Sequence, residues 1–261
     1  MRSILVQGGR DKGMAARLDT AMNLARIHQS HLTVAIDTPL GQFVTVDPYG
    51  GSYVAREALD AALAADDELA QAFAGRLAKD DVPFDVVQFE TLPLEAMIAA
   101  ARLADLAVVT RDCGYAGDLA VEARCPVLVL RPDQPLPLPL ATACIAWDGT
   151  DQAAMALRSC VPLLDEGTDV HVLTVLTDAQ DGFPPTDALQ YLARHGIKAE
   201  LHELAKVGSV EETLLVEVSR LGGQVLVMGA FSHSRLREFM FGGVSRYFLN
   251  EASAPALLMA H

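Results

Sequence analysis

Val225-Leu-Val-Met-Gly229-Ala-Phe-Ser232-His-Ser-Arg-Leu-Arg-Glu-Phe-Met-Phe-Gly242-Gly-Val-Ser-Arg246 joins an apolar strand to a helix through a long loop with glycine at both ends. Gly229 follows the apolar run 225–228 directly. Gly242 and Gly243 open the run 244–249, in which Val244, Phe248 and Leu249 share one helical face. An anion held between the two corners would meet unpaired backbone N–H groups and the positive end of a helix dipole. Glycine suits both corners because it adopts positive φ and lets a ligand approach the backbone.

The spacing runs Gly229, two residues, Ser232, nine residues, Gly242, Gly243, and then Val244 and Ser245. It resembles the signature of the universal stress protein family, which is Gly, two residues, Gly, nine residues, Gly, then Ser or Thr, between the fourth strand and fourth helix of an open α/β fold. Gly229 and Gly242 match that pattern. Ser232 stands at the middle glycine and Gly243 at the hydroxyl position. The following stretch, 247–259, looks like the family's closing helix, Ala-Pro corner and final strand. The resemblance implies an adenine-nucleotide-binding module of the stress response, with Mg²⁺ present only alongside nucleotide.

Working outward, residues 131–140 carry Pro132, Pro135, Pro137 and Pro139, which exclude a helix or central strand and mark a linker. The order of elements is the same on each side of it. Strands are expected at 3–7 and 143–147, helices at 14–29 and 152–164, and second strands at 31–36 and 169–176. Helices at 52–79 and 186–195, strands at 84–90 and 197–204, helices at 94–103 and 210–221, and fourth strands at 106–110 and 225–228 complete the plan. Strand, helix, strand in succession argues for a parallel sheet. The endings Glu122-Ala-Arg-Cys-Pro-Val-Leu-Val-Leu130 and Glu251-Ala-Ser-Ala-Pro-Ala-Leu-Leu-Met259 align residue for residue, so the chain reads as a tandem duplication. The expected architecture is two mostly parallel, five-stranded, Rossmann-like α/β domains, 1–137 and 138–261, packed as an intramolecular pseudo-dimer. In the resembling family the final strands pair across a dimer; here 127–130 and 256–259 are the candidates, which covers both edges.

Ligands of open parallel sheets gather beyond the carboxyl ends of the strands. That places 147–150, 174–176 and Met228-Gly229 around one crevice. The resemblance implies that the acidic residue after strand one and the apolar residue after strand two hold adenine and ribose, and Asp148 and Val175 occupy those positions. A turn or helix-cap role for Asp148 stands beside that reading, since Asp-Gly is a common turn pair. Gly229, Gly242, Gly243, Val244 and Ser245 are the expected phosphate end, with Ser232, His233 and Arg235 as further phosphate contacts. The first half has only 12 positions from Thr110 to Glu122 where the second has 22 from Gly229 to Glu251. Gly8 aligns with Asp148, so the first half reads as a degenerate copy and one nucleotide per chain is expected.

The chain has 261 residues, 51% of them hydrophobic, with 34 acidic against 20 basic side chains. The net charge of −14 opposes nucleic acid and anionic membranes as partners. The apolar run after Met1 is too short for a signal peptide, which points to the cytoplasm. Cys113, Cys125, Cys144 and Cys160 lack CxxC spacing and read as core residues. The histidines lack metal-ligand spacing, and neither GxxxxGK[ST] nor GxSxG occurs. No nucleophile and base pair is evident. Two further readings stay open: a scaffold working through an unknown protein partner without nucleotide, and a weak ATP hydrolase. Pairing of whole chains into a dimer of pseudo-dimers is compatible with each.

Overall fold

The computed structural model describes residues 1–46, 52–177, 182–230 and 243–261. The first half runs β1 (Ser3–Gln7), α1 (Met14–His28), β2 (His31–Asp37), β3 (Val44–Val46), β4 (Ser52–Val54), α2 (Arg56–Leu77), β5 (Phe84–Phe89), α3 (Pro93–Ala100), β6 (Leu106–Thr110), α4 (Ala116–Glu122) and β7 (Val127–Leu130). The second half runs β8 (Thr142–Ala146), α5 (Asp151–Cys160), β9 (Asp169–Leu176), α6 (Pro185–Arg194), β10 (Ala199–Ala205), α7 (Val210–Leu221), β11 (Val225–Gly229), α8 (Gly243–Asn250) and β12 (Ala256–Ala260).

Ten strands form one sheet in the order β10-β9-β8-β11-β12-β7-β6-β1-β2-β5. Neighbours are parallel except β7 and β12, which pair antiparallel with Leu128 opposite Leu258. The expected pairing of the two final strands therefore occurs within the chain. Strands β6, β7 and β12 are buried at every position, which is why they read as unbroken apolar runs. The outer strands β5 and β10 alternate exposed with partly buried residues and carry charges such as Asp85, Glu200 and Glu203, which discourage further strand addition.

Helices α1, α2, α5 and α6 cover one face and α3, α4, α7 and α8 the other, giving three layers. Each core layer continues across the seam, through Leu128 and Leu258 on one face and Val127, Val129, Leu257 and Met259 on the other. Local chemistry fixes α7 at both ends. Ser209 and Glu212 form a reciprocal capping box, and Gly222 at φ 69° closes the helix in the left-handed region.

Three details differ from or refine the sequence reading. The helix expected at 52–79 starts only at Arg56, because Ser52–Val54 pairs with β3 as a two-stranded ribbon; Tyr53 and Val54 favour strand. The proline-rich segment 131–141 is packed rather than free, since Leu136 and Leu140 are buried and Leu136 N–H donates to Thr20 Oγ1 on α1 at 3.0 Å. The cysteines are free, and burial pushes the thiols of Cys125, Cys144 and Cys160 up to about 12, which leaves them inert core residues.

One side chain fastens the seam. Arg111, just past β6, donates through Nη2 to the carbonyls of Pro255 at 2.7 Å and Ala254 at 3.2 Å, and through Nη1 to that of Glu251. Its methionine replacement keeps much of the stem but leaves these carbonyls without their charged donor. Arg111→Met is expected to lower unfolding free energy by about 2–4 kcal/mol, read from urea denaturation; a loss below about 0.5 kcal/mol would remove the clamp from the account.

Candidate functional site

A cavity of about 500 Å³ opens at the carboxyl ends of β8, β9 and β11, under the first turn of α8. Asp148 lines it from the β8–α5 turn, Val175 from β9, Met228 and Gly229 from the end of β11, and Gly243, Val244 and Ser245 from α8. The structure thus brings together every expected site residue that it describes. Ser232, His233, Arg235 and Gly242 lie outside the described residues.

Each of these residues has a local reason for its place. A Cβ at Gly229 would lie 2.8 Å from the Gln152 carbonyl carbon and 2.9 Å from Ala153 N, so glycine there lets α5 close on β11. Ser245 is buried, and its Oγ donates to the Gly229 carbonyl at 3.4 Å, tying α8 to the strand end. At Gly243 no described heavy atom lies within 4 Å of an added Cβ. Asp148 Oδ1 accepts from Thr150 N at 3.1 Å and from Thr150 Oγ1 at 2.6 Å, an Asx turn. Thr150, not Asp148, caps α5, accepting from Ala153 N at 3.2 Å.

The sequence reading missed the remaining wall. Phe183, just ahead of α6, is held against the β8 end: its N–H donates to the Gly149 carbonyl at 2.9 Å and its carbonyl accepts from Trp147 Nε1 at 3.0 Å. Gly149 at φ 77° permits this approach, since a Cβ there would meet the Phe183 carbonyl oxygen at 2.7 Å. The Trp-Asp-Gly-Thr and Gly-Phe-Pro-Pro stretches were the available signal, as paired turn sequences. Thr174 Oγ1 donates to the Trp147 carbonyl at 3.1 Å, and Glu203 adds a second carboxylate from β10. Only sheet register reveals Glu203. The described walls therefore combine an apolar slot of Leu173, Val175, Leu214, Met228 and Val244 with two carboxylates and a helix N-terminus.

Residues 141–259 match the model of the universal stress protein family. In solved structures the chain is similar to a universal stress protein from Archaeoglobus fulgidus, with 12% identity and a TM-score of 0.75 over 98% of this chain and 97% of that one. It is also similar to a protein of unknown function from Pseudomonas aeruginosa, with 17% identity and a TM-score of 0.63 over 100% of this chain and 92% of that one. At such identities the likeness is one of fold, and it spans both halves. No curated protein sequence matches the chain. Among the described residues no helix is long and apolar enough to cross a membrane.

The first half lacks the long connection: 111–115 joins β6 to α4, where 230–242 joins β11 to α8. Its β1–α1 turn also departs from the expected alignment. Gly8 N–H donates to the Ala35 carbonyl as Trp147 N–H does to that of Leu173, so Gly8 matches Trp147 and not Asp148. The turn is longer, 8–13 against 147–150, and it does carry a carboxylate. Asp11 Oδ1 accepts from Gly13 N at 2.9 Å, the counterpart of the Asp148–Thr150 turn. Asp11 also meets a guanidinium. Arg17, 0% exposed, meets Asp11 Oδ1 at 2.8 Å and Oδ2 at 2.6 Å, while its Nε donates to the Gln7 carbonyl and its Nη1 to Thr110 Oγ1. A guanidinium thus fills the space between the ends of β1 and β6; the corresponding residue on α5 is Ala154.

The hydrogen bond from Arg17 is the main cause that lowers the Asp11 pKa below its ordinary 3.8. A depressed carboxyl contributes stability above 3.8 that fades as the pH falls through its lower folded value. Because Asp11 is 38% exposed, the effect is discounted for solvent screening. Asp11→Ala is expected to cost about 1–3 kcal/mol at pH 7 and to flatten the loss of stability below pH 3.8, measured by urea melts across pH. An unchanged acid limb in the variant would contradict this assignment.

Proposed function

We propose that this chain, whose C-terminal half belongs to the universal stress protein family and whose two halves share one fold, is a cytoplasmic binding and signalling module that holds one adenine nucleotide per chain. The observation that carries the reading is the convergence of Asp148, Val175, Gly229 and Ser245 on one cavity of about 500 Å³, a size suited to a small-molecule ligand. Val175 and Met228 supply apolar surface for a base. The Asp148 carboxylate, fixed by its turn, accepts from an exocyclic amine or ribose hydroxyls. The phosphates point toward the N-terminus of α8, where the backbone N–H groups of Gly243 and Val244 and the helix dipole favour anions. Mg²⁺ accompanies the phosphates only when nucleotide is bound. Arg17 occupies the counterpart space in the first half, which limits the stoichiometry to one.

Calorimetric titration with ATP, ADP and AMP tests the reading. One equivalent is expected to bind per chain, and Asp148→Ala is expected to weaken binding about tenfold, the loss of a charged hydrogen-bond acceptor. No saturable binding by any of the three would overturn the nucleotide reading and leave protein contacts as the function.

Gly243 gives a second, independent test. Since an added Cβ there meets no described atom, Gly243→Ser is expected to leave stability unchanged and to add a hydroxyl beside the phosphates. ATP affinity should rise about fivefold, while adenosine affinity stays constant. Equal changes for ATP and adenosine would place the phosphates elsewhere.

A further inference from the structure

His171 and His202 meet although nothing in their spacing marks them, because β9 and β10 pair in parallel with Glu200 opposite His171 and His202 opposite Leu173. Glu200 and His202, two residues apart on one strand, share a face. His171 Nδ1 lies 3.0 Å from His202 Nε2, and Glu200 Oε2 lies 3.9 Å from the first and 3.8 Å from the second. We propose that these three side chains form a binding site for a divalent transition-metal ion, with zinc the ion they fit, separate from the nucleotide cavity.

The donor set supports this: two imidazoles and a carboxylate are zinc ligands, and three protein ligands leave a fourth tetrahedral position for water. Two nitrogens on a tetrahedral zinc lie about 3.3 Å apart, so the observed 3.0 Å requires only a small opening of the pair. Glu200, whose side chain is 70% exposed, can swing inward to complete the set.

A supporting shell is already built. His202 Nδ1 lies 3.2 Å from Glu217 Oε1 on α7, and Glu217 is held by Arg220 through bonds of 2.8 and 2.6 Å. A histidine that gives its other ring proton to an anchored carboxylate has a fixed tautomer and a more basic ligating nitrogen. The Glu217 carboxylate beside Nδ1 favours the His202 tautomer that carries its proton there, which presents the Nε2 lone pair toward His171; in the metal-free pair His171 then donates from Nδ1. On metal binding the His171 proton moves from Nδ1 to Nε2, freeing the Nδ1 lone pair; no proton is lost from either ring. His171, His202 and Glu217 are only 13–14% exposed, so the ligands sit in a shielded pocket with Glu200 at its mouth. Leu173, which lines the nucleotide cavity, lies two positions along β9 from His171, about 7 Å of strand, and opposite His202, so the two sites are neighbours on one face of the sheet.

Calorimetry of the chelator-treated full chain with Zn²⁺, joined with Co²⁺ absorption spectra, tests the proposal. One Zn²⁺ per chain and an intense tetrahedral Co²⁺ band are expected. His171→Ala and His202→Ala should each weaken binding at least tenfold, and Glu217→Gln about tenfold, the usual cost of losing a supporting carboxylate. Glu200→Gln should also weaken binding about tenfold, and at 70% exposure its replacement does not threaten folding. Should a histidine variant lose its far-ultraviolet circular dichroism, the Glu200→Gln result decides. Absence of saturable Zn²⁺ binding, or an affinity unchanged by Glu200→Gln, would overturn the site.

Discussion

The antiparallel pairing of β7 with β12 is the contact on which the rest of the molecule depends. Each half ends in a strand buried at every position, Val127–Leu130 and Ala256–Ala260. Left alone, either strand would present a row of unpaired backbone groups flanked by apolar side chains, the arrangement that recruits foreign strands. Joined, each edge satisfies the other, and both core layers run through the seam. The geometry is that of an isologous interface, with Leu128 opposite Leu258 and each strand in the same relation to its partner. Covalent linkage makes that association intramolecular, and Arg111 fastens it by donating to carbonyls beyond α8.

Once the halves are equivalent in fold, their difference becomes the informative quantity. Both keep an Asx turn at the entry of the first helix, through Asp11 in one and Asp148 in the other. A buried guanidinium is tolerated only where its donors are met. Arg17 satisfies that condition with Asp11, the Gln7 carbonyl and Thr110. The same set of acceptors holds the guanidinium between the ends of β1 and β6. In the second half Ala154 stands at the corresponding place on the helix, and a cavity remains. The first half thus places a buried, fully hydrogen-bonded arginine where the second half has an alanine.

Much of this was legible in the sequence, and the exceptions share a cause. Fully buried strands announce themselves as apolar runs, and α7 spans the expected 210–221, its ends fixed by the local chemistry of Ser209, Glu212 and Gly222. Asp148, Val175 and Gly229 could be placed because each lies near the carboxyl end of a strand, at positions that the family resemblance singles out. What escaped depended on register between segments distant in sequence. The alignment of Gly8 with Asp148 failed because the strand expected at 143–147 ends one residue earlier, at Ala146, so Trp147 takes the place of Gly8. Glu203 and the meeting of His171 with His202 follow from how β9 and β10 slide past each other. Short strands such as β4 also escape, since three residues carry too little periodicity to override a neighbouring helix.

Register also changes what the glycine motif means. Gly229 was singled out as a residue that lets phosphate approach the backbone, yet the atoms crowding its missing Cβ belong to Gln152 and Ala153 of α5. Glycine there is required by the closing of a helix on a strand, whether or not a ligand is bound. Ser245 likewise has a structural partner in the Gly229 carbonyl. Neither residue distinguishes a working site from a retained fold. Two other positions differ: Gly243, where an added Cβ would meet no described atom within 4 Å, and Val175, which packs on the core yet also lines the cavity. Selection on ligand binding acts most freely where packing demands least, so the chemistry at Gly243 carries more functional information than the conspicuous Gly229.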